Sequence, residues 1–181
     1  MTTSNRKKAA VVLILMAFIC SFVFSACKNV NVDEPMTKEK VNSSSVNVAE
    51  GFIHSVFTGD EELFYACFPE NSFGEDIDAF AIYDMSKDAD MKYIGVKYVN
   101  FNKITEENGY DPAFMKTSIN LGLHVDESSI SDMEIVKLDV CFEGDNNKEY
   151  KYVSAYVVTF QIDNGSWYAF EIQNSDAEFA A

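Results

Sequence analysis

Apolar and polar positions fall into three consecutive regimes along the chain. From Ala9 to Phe24 every residue is uncharged and none is proline. Residues 28–45 are polar and contain Pro35. From Val46 onward, apolar residues recur first with a helical and then with a strand period. Val48, Ala49, Phe52, Ile53, Val56 and Phe57 fall three and four residues apart and form one stripe, which predicts a first helix. The serines at 43–45 can cap its start and Gly59 can end it. Asp60 is placed to cap a second, short helix, with Glu61 and Glu62 in the first turn, where the helix dipole favours them. Leu63, Phe64, Cys67 and Phe68 form its buried side, and Pro69 stops it. Residues 75–85 read as a third helix with Ile77, Phe80, Ala81 and Met85 inward.

The period then changes to two. In 92–104, Ile94, Val96 and Tyr98 share one face, and Tyr93, Lys97, Val99 and Phe101 the other. Asp111-Pro112 is a cap followed by proline at the first helical position, predicting a helix to about Leu121 that Gly122 ends. Residues 134–143 form a strand with Val136, Leu138, Val140 and Phe142 on one face, and 149–162 a second, rich in Tyr, Val and Phe. Asp163-Asn164-Gly165 signals a tight hairpin with positive φ at Asn164 and Gly165. The last strand runs from Trp167 to Gln173, with Tyr168, Phe170 and Ile172 together. This order predicts an α+β fold: a curved antiparallel sheet of about four strands with the N-terminal helices packed on one face.

The first regime reads as an address. Arg6, Lys7 and Lys8 precede an apolar run of 16 residues, shorter than the roughly 20 that a membrane span needs. Basic start, apolar centre and small residues at the end are the parts of a secretory signal peptide. The run closes on Phe24-Ser25-Ala26-Cys27. This resembles the bacterial lipoprotein signal, with Phe24 standing where leucine is usual. The resemblance implies cleavage before Cys27 and lipid on its thiol, and two or three acyl chains anchor stably where one does not. It divides the chain into a signal peptide at 1–26, a lipid-anchored flexible tether at 27–45 and a single domain at 46–181. An uncleaved signal anchor and an ordinary secretory signal are the alternatives. Eighteen tether residues give a root-mean-square reach of about 23 Å, enough to clear lipid headgroups.

Loss of residues 1–26 removes three basic residues and no acidic one, leaving eleven basic against 29 acidic side chains and a net charge of −18. Phosphate backbones repel such a surface, which argues against nucleic acid as a partner. The acidity itself is also what keeps an exported domain dissolved. Beyond Cys27, the mature chain has Cys67 and Cys141. In an oxidising compartment they are a possible disulfide. Two buried thiols are the commoner outcome for one cysteine on an apolar helix face and one in a strand.

The arrangement over about 46–173 resembles the cone-shaped nuclear transport factor 2-like and cystatin-like folds. The telling segments are VAEGFIHSVFTGDEELFYACF and VVTFQIDNGSWYAFEI, the second similar to the final hairpin of small uncharacterised lipoproteins of Gram-positive bacteria. Such segments specify a fold and not a chemistry.

The chemistry-bearing residues are sparse. His54 lies inside the first helix as a boundary residue, and His124 follows the Gly122 turn as a loop residue; they share no ligand spacing with a third group. The acidic pairs, Glu61-Glu62, Asp76 with Asp78, Asp88 with Asp90, Glu106-Glu107 and Asp126-Glu127, read as solvated surface, and none fits a calcium loop. No catalytic residue, metal site or cofactor is assigned. Tyr93, Tyr98, Tyr150, Tyr152, Tyr156 and Tyr168 can line a pocket between sheet and helices or simply fill it. The leading expectation is a non-enzymatic, lipid-anchored domain on the extracytoplasmic face of a bacterial membrane, of Gram-positive type by the resemblance, that binds no nucleic acid and takes an envelope protein, a peptide or a small apolar molecule. The alternative is an isomerase- or dehydratase-like enzyme using a carboxyl inside the cone, Asp84 or Asp139.

Overall fold

In the computed structural model the described residues are 37–74, 77–87, 92–143 and 150–173. The expected signal peptide and Cys27 lie outside them. The Ser44 side chain accepts from the Asn47 N–H and opens helix α1 (Ser45–Thr58). Gly59 closes it in the left-handed region at φ 76°, its N–H donating to the Ser55 carbonyl. The predicted stripe is the buried one, and Val48, Ala49, Phe52 and Ile53 have no exposed surface. Asp60 caps α2 (Glu61–Ala66) by accepting from the Leu63 N–H, as its spacing predicts. The third helix, α3 (Ala79–Tyr83), is shorter than expected and differently phased. Asp78 caps it, so Ala79 and Phe80 turn inward while Ile77 and Ala81 are exposed.

Four strands follow: β1 (Tyr93–Lys103), β2 (Ile130–Glu143), β3 (Tyr150–Ile162) and β4 (Trp167–Gln173). They form one antiparallel sheet in the order β1-β2-β3-β4, and α1 contacts all four. Ladder partners share a face. Leu138 opposite Ala155, Val136 opposite Val157 and Glu134 opposite Thr159 therefore lie on the face that α1 covers. Met133 opposite Phe160 and Ile135 opposite Val158 lie on the other face, also buried. Helix α4 (Pro112–Leu123) packs against β4 and the turn before β2. A methyl group added at Gly122 would lie 2.9 Å from the Phe170 ring. Gly122 is thus inside α4, and the left-handed stop falls on His124, two residues later than expected.

Three strand details depart from a strict two-residue period. Register shifts at Tyr93/Gly95 and Tyr98/Asn100 put Tyr93, Val96, Tyr98 and Phe101 opposite Phe142, Val140, Leu138 and Val136, on one face. A shift at Val158/Thr159 similarly returns Ile172 to the side of Val157, away from Tyr168. The hairpin takes positive φ at Asp163 (48°) and Asn164 (55°), one residue earlier than the Asn-Gly reading. The folded body also starts earlier than 46. Val41, in a 3-10 turn over Val41–Ser43, is fully buried, and the Asn42 amide donates to the Trp167 carbonyl at 2.8 Å. Val41 and Asn42 consequently pack with the body, inside the stretch expected to be a tether.

Candidate functional site

Aromatic rings fill the space among α1, α2 and α3, and a second group lies between α1 and the sheet. Phe52 meets Phe64, Phe68 and Tyr83 at 5.7, 5.3 and 5.7 Å, and Phe64 meets Phe80 at 5.3 Å. Toward the C-terminal end of α1, Phe57 stacks on Tyr93 at 5.4 Å and meets Phe142 edge-on at 5.1 Å. Such tilted and offset pairs add stabilisation beyond the area they bury.

Two polar features interrupt this lining. The first is at the rim. One turn before Phe57 on α1, the His54 Nδ1 lies 3.2 Å from the Tyr93 hydroxyl. Burial lowers the imidazole pKa and raises the phenol's, and the charge of Glu50 on α1 adds to the second shift. The pair is a neutral hydrogen bond at pH 7, with the phenol donating to Nδ1 when the ring proton sits on Nε2. It fastens α1 to β1 and offers a half-buried polar edge; neither partner is activated as a base or nucleophile.

The second is in the interior. Glu134 is 6% exposed, and among the described residues it is the one charged side chain in the buried set. Its carboxylate accepts from the Ser45 hydroxyl, at the first residue of α1. Loss of hydration raises its pKa; the Ser45 hydrogen bond and Lys103 oppose that rise, and Asp132 adds to it.

The residues singled out from sequence do not converge. Asp84 ends α3, where it accepts from the Ser86 N–H at 3.0 Å and pairs with Lys87 at 2.9 Å. The hydroxyl of Ser86, then Lys87, holds its pKa low, the opposite of a carboxyl kept neutral for acid catalysis. Asp139 lies, by register, on the face away from α1 and accepts from Ser154 at 3.2 Å. The tyrosines are divided likewise: Tyr93 faces α1, and Tyr98 is exposed at the sheet edge. Tyr156 lies under the Lys137 ammonium, 5.1 Å from its ring centroid, and Tyr168 packs on Phe160. The Tyr150 side chain lies outside what is described. His124 is the exposed residue closing α4.

Cys67 caps α2, and its thiol donates to the Leu63 carbonyl at 3.2 Å; Cys141 pairs with Gly95 and Tyr152 in the ladder. Both are buried and no disulfide joins them. Among the described residues no three His, Cys, Asp or Glu side chains are grouped to hold a metal ion, and no helix is long and apolar enough to cross a membrane.

Glu134 was within reach of the sequence, since it falls in phase with Val136, Leu138 and Val140. The His54–Tyr93 pair was not, because it joins residues 39 apart across a bulged strand. No family model matches the chain, and no curated protein or solved structure matches it.

Proposed function

We propose that the protein is a lipid-anchored binding domain of the bacterial cell envelope, held on the extracytoplasmic face of the membrane through acylated Cys27. The observation that carries this reading is Phe24-Ser25-Ala26-Cys27 at the end of an uncharged run, ten residues before the first described residue, Thr37. The four-stranded sheet with α1 on one face, and α2 and α3 packed beside that helix, supports assignment to the cone-shaped nuclear transport factor 2-like or cystatin-like class.

The body offers an open strand for binding. β4, at one edge of the sheet, is partly covered: the Ala169 N–H donates to the Cys67 carbonyl and the Trp167 carbonyl accepts from Asn42. β1, at the other edge, shows Tyr98, Val99 and Phe101 to solvent. An extended segment of an envelope protein or peptide would add to such an edge through main-chain hydrogen bonds, with the aromatic side chains selecting it. Lys97 and Lys103 on the same strand discourage indiscriminate pairing. The enzyme alternative gains nothing from Asp84 or Asp139. Glu134 is a buried carboxyl, but it is sealed beneath the first turn of α1.

Growth with a palmitate analogue tests the anchor. Wild type should carry the label, and Cys27→Ala should accumulate as an unlabelled precursor. Equal labelling of both would refute the assignment. Photocrosslinking from Val99 in intact cells tests the binding surface, and recovery of no specific adduct would count against it.

A further inference from the structure

The two most exposed large apolar side chains among the described residues are Phe114 (68%) and Leu121 (74%). They stand seven residues apart on α4, two turns along one helix face. Thr117, between them, is exposed and uncharged. From Pro112 to Val125 there is no Asp or Glu, in a chain with 29 of them. The lysine in that span, Lys116, turns its ammonium to the Ile130 carbonyl at 2.7 Å. The outer face of α4 is therefore an uncharged, aromatic-bearing surface on a strongly acidic body. An interface of that composition suits the boundary between headgroups and acyl chains; a cationic protein partner would be drawn to the carboxylates elsewhere.

The anchor brings a membrane within reach. Nine residues, or ten peptide steps, separate Cys27 from Thr37, a span of at most about 35 Å in any conformation. The 3-10 turn that follows is bonded to β4 at Trp167, and α4 meets the same strand at Phe170, about 10 Å further along. We infer that the outer face of α4 rests on the leaflet that holds the lipidated Cys27, so that the body lies on the bilayer instead of projecting from it. This rests on the anchor proposed above. A two-residue patch is weak alone, but the tether makes the second contact intramolecular and a weak patch suffices.

The test uses the full lipidated protein in vesicles of phosphatidylcholine and phosphatidylglycerol. A nitroxide is attached at Thr117→Cys, with a control at the exposed Glu107→Cys. Oxygen and a nickel chelate serve as collision partners, and the mass of the chain carrying Cys27 is measured on the same sample. Bilayer contact is expected to raise oxygen collisions at 117 and lower nickel collisions several-fold relative to 107. Phe114→Ser with Leu121→Ser should erase that difference while the protein stays anchored. Equal accessibility at 117 and 107 with acylated Cys27 overturns the inference and leaves the anchor intact. A fall in collisions with both reagents identifies a protein partner or a second copy and overturns it as well. An unmodified Cys27 removes the anchor and the inference together.

Discussion

Replacing Glu134 by glutamine tests whether a buried carboxyl sets the stability of this fold. In the native state Glu134 is almost fully buried, with the Ser45 hydroxyl as donor and Lys103 as a solvent-exposed counter-charge. Burial raises its folded-state pKa above the unfolded value, so the folded protein binds the extra proton more readily. The stabilising contribution of the protonated form is complete below the unfolded carboxyl range. It is lost as pH rises through the folded pKa, beyond which the buried group carries its charge. Glutamine keeps an acceptor for Ser45 and carries no charge. With the charge only partly compensated, Glu134→Gln should stabilise the fold by about 1 kcal/mol at pH 8, at the low end of the range for a poorly satisfied buried group. That corresponds to about 3–5 °C in Tm for a domain of this size. At pH 4 the two proteins should be nearly equal. Ser45→Ala at pH 8 removes a donor to a charged acceptor, worth about 1.5–3 kcal/mol, and in the Glu134→Gln background only about 0.5–1.5 kcal/mol. Urea unfolding at both pH values, followed by the Trp167 fluorescence, measures all four species. Parallel pH curves for wild type and Glu134→Gln would refute the reasoning, as would destabilisation of the glutamine variant by the same amount at both pH values.

Two further outcomes are expected. Phe52→Ala empties a fully buried position where three rings meet and should lower stability by about 3–5 kcal/mol in urea titration, with the far-ultraviolet spectrum retained if the domain still folds at 25 °C. Gly59→Ala places a side chain at φ 76° and 2.8 Å from the Ser86 hydroxyl oxygen, and should lower stability by about 1–2 kcal/mol from the backbone term alone; Ser86→Gly added to it should relieve only the contact, which Tm values for the single and double variants resolve.

The sequence was most legible where one local rule decides the outcome. Ser44, Asp60 and Asp111 cap the helices that their positions predict, because a short polar side chain satisfies an orphan N–H two or three residues on. The buried face of β2 from Val136 to Phe142 follows from strict alternation, since both bulges in its pairing with β1 add their extra residue to β1 and β2 itself runs unbroken there. The misreadings occur where a tertiary neighbour overrides the local signal. Gly122 looks like a helix stop, yet its missing side chain serves to admit Phe170, and His124 takes the left-handed turn instead. The faces of β1 and β4 depart from a strict two-residue period because a bulge adds one residue and moves every later side chain to the other face. The apolar spacing over 75–85 places Ile77 inside the third helix, but the Asp78 cap starts α3 at Ala79 and leaves Ile77 outside it. Asp84 and Asp139 show how little a carboxylate's sequence position says about its surroundings: one caps a turn, and the other stands on the face opposite the helices.

The hydrogen bond from Asn42 to the Trp167 carbonyl links positions 125 apart. A chain that emerges amino end first, from a ribosome or through a translocation pore, exposes Val41 and Asn42 long before β4 exists to receive them. Its first segment must wait for its last, so premature arrest of the nascent chain leaves that segment without a seat. Synthesis of β4 is what gives Val41 and Asn42 their place.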